Sequence, residues 1–247
     1  MWETYRIVVK HVFPDACCIT DHFHVIQELT RRVDRVRIRV QNRFRKTINT
    51  LKPKKNNKTI TSEELIELEE ASRYYYVLKK FNWLLASTNK KILDVNVERR
   101  FNRTLNRYLN YSEILAYMLN IDDELEEAFY LRNDVTYFYD HCTYDTAKKQ
   151  PEKIIIGFRS STVAEMSPFA NTLTNWKKEI INSFIIVDDK ANRKMNTAIV
   201  ENRNKSIKLL KHASNGYLNW ERFRNRILYT LNEDTTFYYT SIRKDGK

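Results

Sequence analysis

Asp21-His22-Phe23-His24-Val25-Ile26-Gln27-Glu28-Leu29-Thr30-Arg31-Arg32-Val33-Asp34-Arg35-Val36-Arg37-Ile38-Arg39-Val40-Gln41-Asn42-Arg43-Phe44-Arg45-Lys46 is the stretch that decides the fold. From His22 onward, Ile26, Leu29, Val33, Val36, Val40 and Phe44 return every three or four residues, the spacing of one helical face. Arg32, Arg35, Arg39, Arg43 and Lys46 run on a neighbouring stripe, so one side is expected to pack and the other to meet anions. Just upstream, Ala16 to Thr20 is a short apolar run that reads as a buried strand. Residues 2 to 13 read as a helix stopped by Pro14, because the residue before a proline avoids the helical region.

The rest of the chain is built for helix. Its 247 residues include three glycines and four prolines, while leucine, lysine, arginine, glutamate and asparagine are plentiful. Glycines this scattered exclude a phosphate-cradling loop, and with it P-loop and Rossmann readings. No apolar run approaches the ~18 residues of a membrane span, and the basic, aromatic N-terminus lacks a signal-peptide core. A cytoplasmic protein is expected. The cysteines, Cys17, Cys18 and Cys142, are odd in number and badly spaced for disulfides or zinc, so they read as reduced structural thiols.

Pro53 to Lys58 reads as a polar break. Thr61-Ser62-Glu63-Glu64 then offers a capping box that starts a new helix, with Leu65, Leu68, Tyr75, Leu78 and Leu85 inward. A further helix is expected through Phe101, Leu105, Tyr108 and Leu115, and another through Leu125, Ala128, Val135, Phe138 and Cys142. After a break at Pro151, Met166, Phe169, Leu173, Trp176, Ile180 and Phe184 form a helical stripe that reads as core. Phe184 to Val187 reads as a short strand or the end of that helix, and Asp188 to Met195 as polar loop. Thr197 to His212 is a helix, Gly216 its permissive terminator, and Asn219 to Leu231 a last helix with Trp220, Phe223 and Ile227 inward.

Charge narrows the function. The formal net charge is +12, and residues 31 to 58 hold twelve lysines and arginines against the single Asp34, a net +11. Such a block is the footprint of a polyanion partner, most often nucleic acid; the bland alternative is a solvated helix face. Two groups of residues could carry chemistry. Asp21 and His24 stand three apart where the expected strand meets the helix, as metal ligands, as an acid–base couple, or as a helix cap with a histidine in its first turn, His22 lying on another face. Glu201 shares a helical face with Lys205 and Lys208, which is either a site or an ordinary Glu-to-Lys pair worth ~0.2–0.5 kcal/mol. Trp83, Trp176 and Trp220 are core candidates first, and stacking platforms for an extruded base second.

Several motifs in order carry a resemblance. Met1-Trp2-Glu3-Thr4-Tyr5-Arg6, Phe13-Pro14-Asp15-Ala16 and Asp21-His22-Phe23-His24-Val25 lead. Phe169-Ala170-Asn171-Thr172-Leu173 with Trp176 follows, then Asn196-Thr197-Ala198-Ile199-Val200-Glu201 with Asn204 and Lys208, then Gly216-Tyr217 with Asn219 and Phe223. Together they resemble insertion-sequence transposases of the ISL-three group, which are similar to other bacterial DDE recombinases with a ribonuclease-H-like core and a helical insertion before the final acid. The resemblance implies a mainly α chain: a remnant of that α/β core, with one or two short strands, and a large helical insertion. It divides the chain into a partial core with the basic helix at 1–46, the insertion at 47–162, and C-terminal core helices with the last acid at 163–247.

The implied chemistry is DNA-mediated transposition, in which three carboxylates hold two Mg²⁺ or Mn²⁺ ions for phosphodiester cleavage and strand transfer. By position Glu201 matches the last acid. Asp21 and His24 match a supporting element that follows the second acid, and Asp21 with Glu201 are the metal-ligand candidates. Arg32, Arg35, Arg39, Arg43, Lys46, Lys205, Lys208 and Lys211 are the candidates for gripping phosphates. The family's second Asp stands just before the Met-Trp pair, and nothing precedes Met1 in this sequence. The expectation is therefore an N-terminally truncated, C-terminal catalytic portion, inactive alone. The alternative is a non-catalytic, DNA-binding regulator. Expected partners are double-stranded DNA, as element ends and target, with a second copy or a full-length transposase, at the nucleoid.

Overall fold

The structure, a computed structural model, describes residues 3–188 and 193–231. It divides into two compact units, Met1–Met195 and Asn196–Lys247. The chain is mainly α. The described residues contain two small two-stranded antiparallel sheets, β1 with β2 and β3 with β4. The family motif's Met1 and Trp2 lie outside the described residues.

In the first unit, α1 (Glu3–Val12) ends before Pro14 as expected. Arg6 fastens it: Nη1 donates to the Asn175 carbonyl at 2.9 Å, the guanidinium lies 4.9 Å from the Trp176 ring centroid, and buried Glu179 stands 3.5 Å away. The segment from Ala16 to Thr20 is irregular and is not a strand. No described strand runs beside it, and its backbone polar groups are met by helix ends instead: Thr20 N–H donates to the Glu179 carbonyl at 3.0 Å, and Asn182 Nδ2 to the Cys18 carbonyl at 2.9 Å. Ala16 and Cys17 are exposed, so the expectation of a buried strand is corrected.

Helix α2 (His22–Asn56) is the spine. Val25, Leu29, Val33, Val36 and Val40 are buried along one face, as the spacing required. The helix does not stop at Pro53. Proline lacks an N–H and so forfeits one helical bond, but near the C-terminus the Pro53 carbonyl still accepts from Asn57 N–H at 3.0 Å, and the chain turns only at Lys58, with φ +57°. Helix α2 thus runs unbroken across residue 46.

Helix α3 (Ser62–Lys80) packs antiparallel in sequence behind this turn, started by the expected Thr61/Glu64 capping box. A 3₁₀ turn, Asn82–Leu85, follows. Strands β1 (Arg100–Asn102) and β2 (Arg107–Leu109) then pair in register Phe101↔Tyr108, where a helix was expected. The turn decides this: Asn102 Oδ1 accepts from Thr104 and Leu105 N–H, both at 3.1 Å, and Asn106 takes φ +51°, a local geometry that asparagine favours. Helix α4 (Tyr111–Leu119) starts at a second capping box, Asn110 with Glu113.

Helix α5 (Asp123–His141) buries Leu125, Ala128, Val135 and Phe138 against α2, and Cys142 beyond its end is also buried. Helices α6 (Tyr144–Lys149) and α7 (Pro151–Ser160) meet at Pro151, tolerated at the first helical position. The Met166 to Phe184 stripe is core, as read, but it is two helices, α8 (Phe169–Asn175) and α9 (Lys177–Asn182), broken at Trp176. Strand β3 (Ile186–Asp188) falls on the segment read as a short strand or helix end, and it pairs with β4 (Arg193–Lys194), inside the stretch read as polar loop; residues 189–192 lie outside the described set. All three cysteines are free.

The second unit is a helical hairpin of α10 (Ala198–Ala213) and α11 (Trp220–Leu231). Gly216 ends α10 with φ +96°, as expected, and Tyr217 stacks on Phe223 at 4.7 Å between centroids. Trp220 is 68% exposed, which corrects its assignment as an inward residue; Phe223 and Ile227 are half-buried.

Candidate functional site

Asp21 sits at the start of α2 in extended backbone, and its Oδ1 accepts from Phe23 N–H at 2.8 Å. The carboxylate therefore caps the helix, neutralising one of the free amides of the first turn. It is buried, at 8% exposure. His22 is exposed, and its Nδ1 lies 3.5 Å from Asp21 Oδ1. His24 is exposed, its backbone N–H donating to the Asp21 carbonyl at 3.2 Å and its ring edge-on to Phe23 at 5.7 Å. Tyr139 packs beside His22, ring to ring at 5.7 Å. Burial, helped by the Asp21 charge, pushes the Tyr139 hydroxyl above the usual tyrosine range. The hydroxyls of Thr20 and Tyr139 are both buried with no hydrogen-bond partner among the described residues.

Glu201 belongs to the second unit, in the first turn of α10, and is exposed. Thr197 Oγ1 donates to its Oε1 at 3.0 Å, and Glu201 N–H to the Thr197 carbonyl at 2.9 Å. A carboxylate in this turn is favoured by the helix dipole. Lys205, Lys208 and Lys211 are exposed along the same helix.

The basic helix is less uniform than its sequence. Arg32 is bound inward: Nε donates to Glu28 at 3.1 Å, Nη1 to the Glu165 carbonyl at 2.6 Å, and its guanidinium lies 5.1 Å from the Phe169 ring. Arg37 is buried between Asp34, at 2.7 Å, and the Leu78 carbonyl, at 3.1 Å. Arg39 grips Glu165 with two hydrogen bonds and also Glu124, and these contacts raise its pKa further above the ordinary arginine value. Arg43 pairs with Asp122, and Lys54 with Glu64. These contacts clamp α2 to α3, to α5 and to the loop before α8.

What remains for a polyanion is the outer face. Arg31 and Arg35, with Glu28 at 3.9 and 3.5 Å, are 61% and 56% exposed. Arg45, Lys46, Lys52, Lys55 and Lys58 are exposed with no acidic partner among the described residues. Arg35, Ile38, Arg39, Asn42, Arg43 and Lys46 line an open concavity on this face. Of the predicted phosphate contacts on α2, Lys46 is exposed with no acidic partner among the described residues, Arg35 is exposed beside Glu28, and Arg32, Arg39 and Arg43 are each held by acidic side chains or a carbonyl. Arg31, Arg45 and Lys52, counted in the basic block but not named as phosphate contacts, continue the outer stripe at helical spacing.

Among the described residues no three His, Cys, Asp or Glu side chains gather closely enough to hold a metal ion. The donor set for a pair of Mg²⁺ or Mn²⁺ ions is therefore not assembled among them. Two carboxylates were named for it: Asp21 is engaged as a cap, and Glu201 accepts from Thr197 Oγ1. No helix among the described residues is long and apolar enough to cross a membrane.

No curated protein and no solved structure matches the chain. A family model described as a transposase, of the ISL-three DDE type, matches residues 1–227. With the motifs around Asp21 and Glu201 both inside that match, the chain belongs to the ISL-three group of DDE transposases.

Proposed function

We propose that this chain supplies the last carboxylate, Glu201, and the Asp21/His24 supporting element of a DDE transposase, that it binds duplex DNA, and that it does not cut DNA alone. The continuous family match through both segments carries this reading. Phosphodiester transfer by this class uses three carboxylates on two divalent metals, which activate the attacking oxygen and stabilise the leaving one. Two named carboxylates, one of them capping a helix, fall short of that set. In this reading residues 1–46 and 163–247 belong to the core, residues 47–162 are the insertion, and DNA phosphates lie along the outer face of α2 and along Lys205, Lys208 and Lys211. The work is done at the bacterial nucleoid.

The test is incubation of the purified chain with duplex carrying the element's terminal repeats, in Mg²⁺ and in Mn²⁺. Retarded duplex without nicks is expected. Nicking that Glu201→Gln abolishes would overturn the claim of inactivity, and no retardation would overturn DNA binding.

The second reading, a non-catalytic regulator that pairs with a full-length transposase, is favoured by the use of Asp21 as a cap. Added to a full-length transposase of the same element, such a regulator lowers strand transfer and co-elutes with it. Unchanged strand transfer and separate elution would remove this reading.

A further inference from the structure

The β1–β2 hairpin is unlike the rest of the helical insertion. Residues 99–109, Arg-Arg-Phe-Asn-Arg-Thr-Leu-Asn-Arg-Tyr-Leu, contain four arginines and no acid. The pleat puts Phe101 and Tyr108 on one face and Arg100, Arg107 and Leu109 on the other. Leu105 at the tip is buried and Leu109 packs against the core, which seats the hairpin on the helices. Phe101 and Tyr108, directly opposite in register, face outward at 49% and 67% exposure, their ring centroids 5.1 Å apart at 52°.

The base of the hairpin is held firmly. Arg99 Nε donates to Glu113 Oε2 at 3.1 Å, and that same oxygen accepts from Asn110 N–H at 3.0 Å. Asn110 Nδ2 in turn donates to the Val95 and Val97 carbonyls at 3.0 and 3.2 Å. Arg100, Arg103 and Arg107 are exposed and have no acidic partner among the described residues. The solvent-facing ring pair stands on one face of a two-stranded platform held firmly at its base, Arg103 lies at the turn, and the exposed Arg100 and Arg107 leave from the other face at the two strand edges, so the hairpin makes two chemical demands. It offers π-faces to flat, apolar rings and positive charge to anions at short range. A duplex satisfies only the second demand, since its bases are stacked on each other. An acidic protein surface likewise leaves the rings without a partner.

We infer that this hairpin binds unpaired DNA, with Phe101 and Tyr108 stacking on exposed bases and Arg100, Arg103 and Arg107 contacting the adjoining phosphates. The inference rests on the DNA-acting role proposed above and gives the insertion its own part in it: holding a strand that has left the duplex, while the outer face of α2 holds the duplex.

The test uses the full chain and fluorescence anisotropy of a labelled oligothymidylate, an abasic strand of equal length, an oligouridylate and a duplex. Phe101→Ala and Tyr108→Ala each weaken oligothymidylate binding by roughly 5- to 100-fold, while Phe101→Tyr and Tyr108→Phe retain it. The abasic strand binds as weakly to the native chain as oligothymidylate does to the alanine variants, and the alanine substitutions cost it nothing further. Each of Arg100→Gln, Arg103→Gln and Arg107→Gln lowers the salt slope on the single strand by about 0.7. Duplex affinity is unchanged by the aromatic substitutions and falls on replacing Arg35 and Lys46, so failure here and failure of duplex binding are separate results. Both rings are exposed, and an unchanged helical circular dichroism spectrum and melting curve confirm that the variants fold. Alanine variants that bind oligothymidylate like the native chain would overturn the inference, as would equal displacement by polyglutamate or tighter binding of the oligouridylate.

Discussion

Arg39 and Glu165 form a forked pair: Nε donates to Oε1 at 2.9 Å and Nη2 to Oε2 at 3.0 Å. They lie far apart in sequence, and the pair ties the middle of α2 to the loop that leads into α8. A parallel fork of this kind is directional as well as strong. Arg39 is 39% exposed, so solvent screening reduces what the charge contributes. Arg39→Gln is expected to cost about 1–2 kcal/mol of stability, a fall in Tm of about 2–4 °C per kcal/mol for a chain of this size. Arg35→Gln, on the outer face, leaves Tm in place. Differential scanning calorimetry of the two variants checks this contrast; equal melting temperatures would show that the fork is unimportant.

The same division predicts how DNA binding responds to salt. Each phosphate neutralised on a duplex contributes about −0.9 to the slope of log affinity against log salt. Replacing Arg31, Arg35, Arg45, Lys46 and Lys52 together by glutamine is expected to reduce that slope by up to about 4.5. Replacing Arg32 or Arg43 lowers stability and leaves the slope nearly intact. Titrations of duplex at several salt concentrations read both outcomes, and a slope insensitive to the outer-face set would move the DNA to another surface.

Acid stability follows from the same fork. The hydrogen bond from Arg39 holds the Glu165 carboxyl below the ordinary glutamate range. A carboxyl depressed in the folded state contributes stability that is present above the unfolded value and is lost as pH falls through the folded one. Native stability is therefore expected to decline below about pH 4.5, with a shallower decline for Glu165→Gln, which has no proton to take up. Urea denaturation at a series of pH values checks it; parallel curves for the two proteins would place the acid sensitivity elsewhere.

Legibility in the sequence tracked how local the deciding interaction is. The Thr61/Glu64 capping box and the glycine at 216 are decided within a few residues, and both stand as read. The buried face of α2 was legible because a helix long enough to pack on α3 and α5 repeats its apolar spacing many times. Phe101, Leu105 and Tyr108 misled because spacings of four and three occur by chance in an alternating hairpin, and only the Asn102 and Asn106 turn geometry separates the two. Ala16 to Thr20 misled for another reason: a strand is made by its neighbour, and this segment finds helix ends instead. The arginine block showed the charge but not which arginines are paired, since Glu124 and Glu165, which hold Arg39, lie 85 and 126 residues away.

Asp21 offers the sharpest separation between a structural and a chemical role, because its cap and its charge can be removed independently. Alanine removes both; asparagine keeps an oxygen that accepts from Phe23 N–H and removes only the charge. Loss of an N-cap side chain costs about 0.5–2 kcal/mol, and asparagine caps as well as aspartate. Asp21→Ala is therefore expected to unfold at lower denaturant by that amount, while Asp21→Asn unfolds close to the native midpoint. In Asp21→Asn the Tyr139 hydroxyl, relieved of a neighbouring negative charge, should ionise at lower pH than in the native chain, though burial still holds it above ordinary tyrosine. Equal destabilisation by both substitutions would show that the charge itself supports the fold. An unmoved tyrosine titration would separate Asp21 from Tyr139.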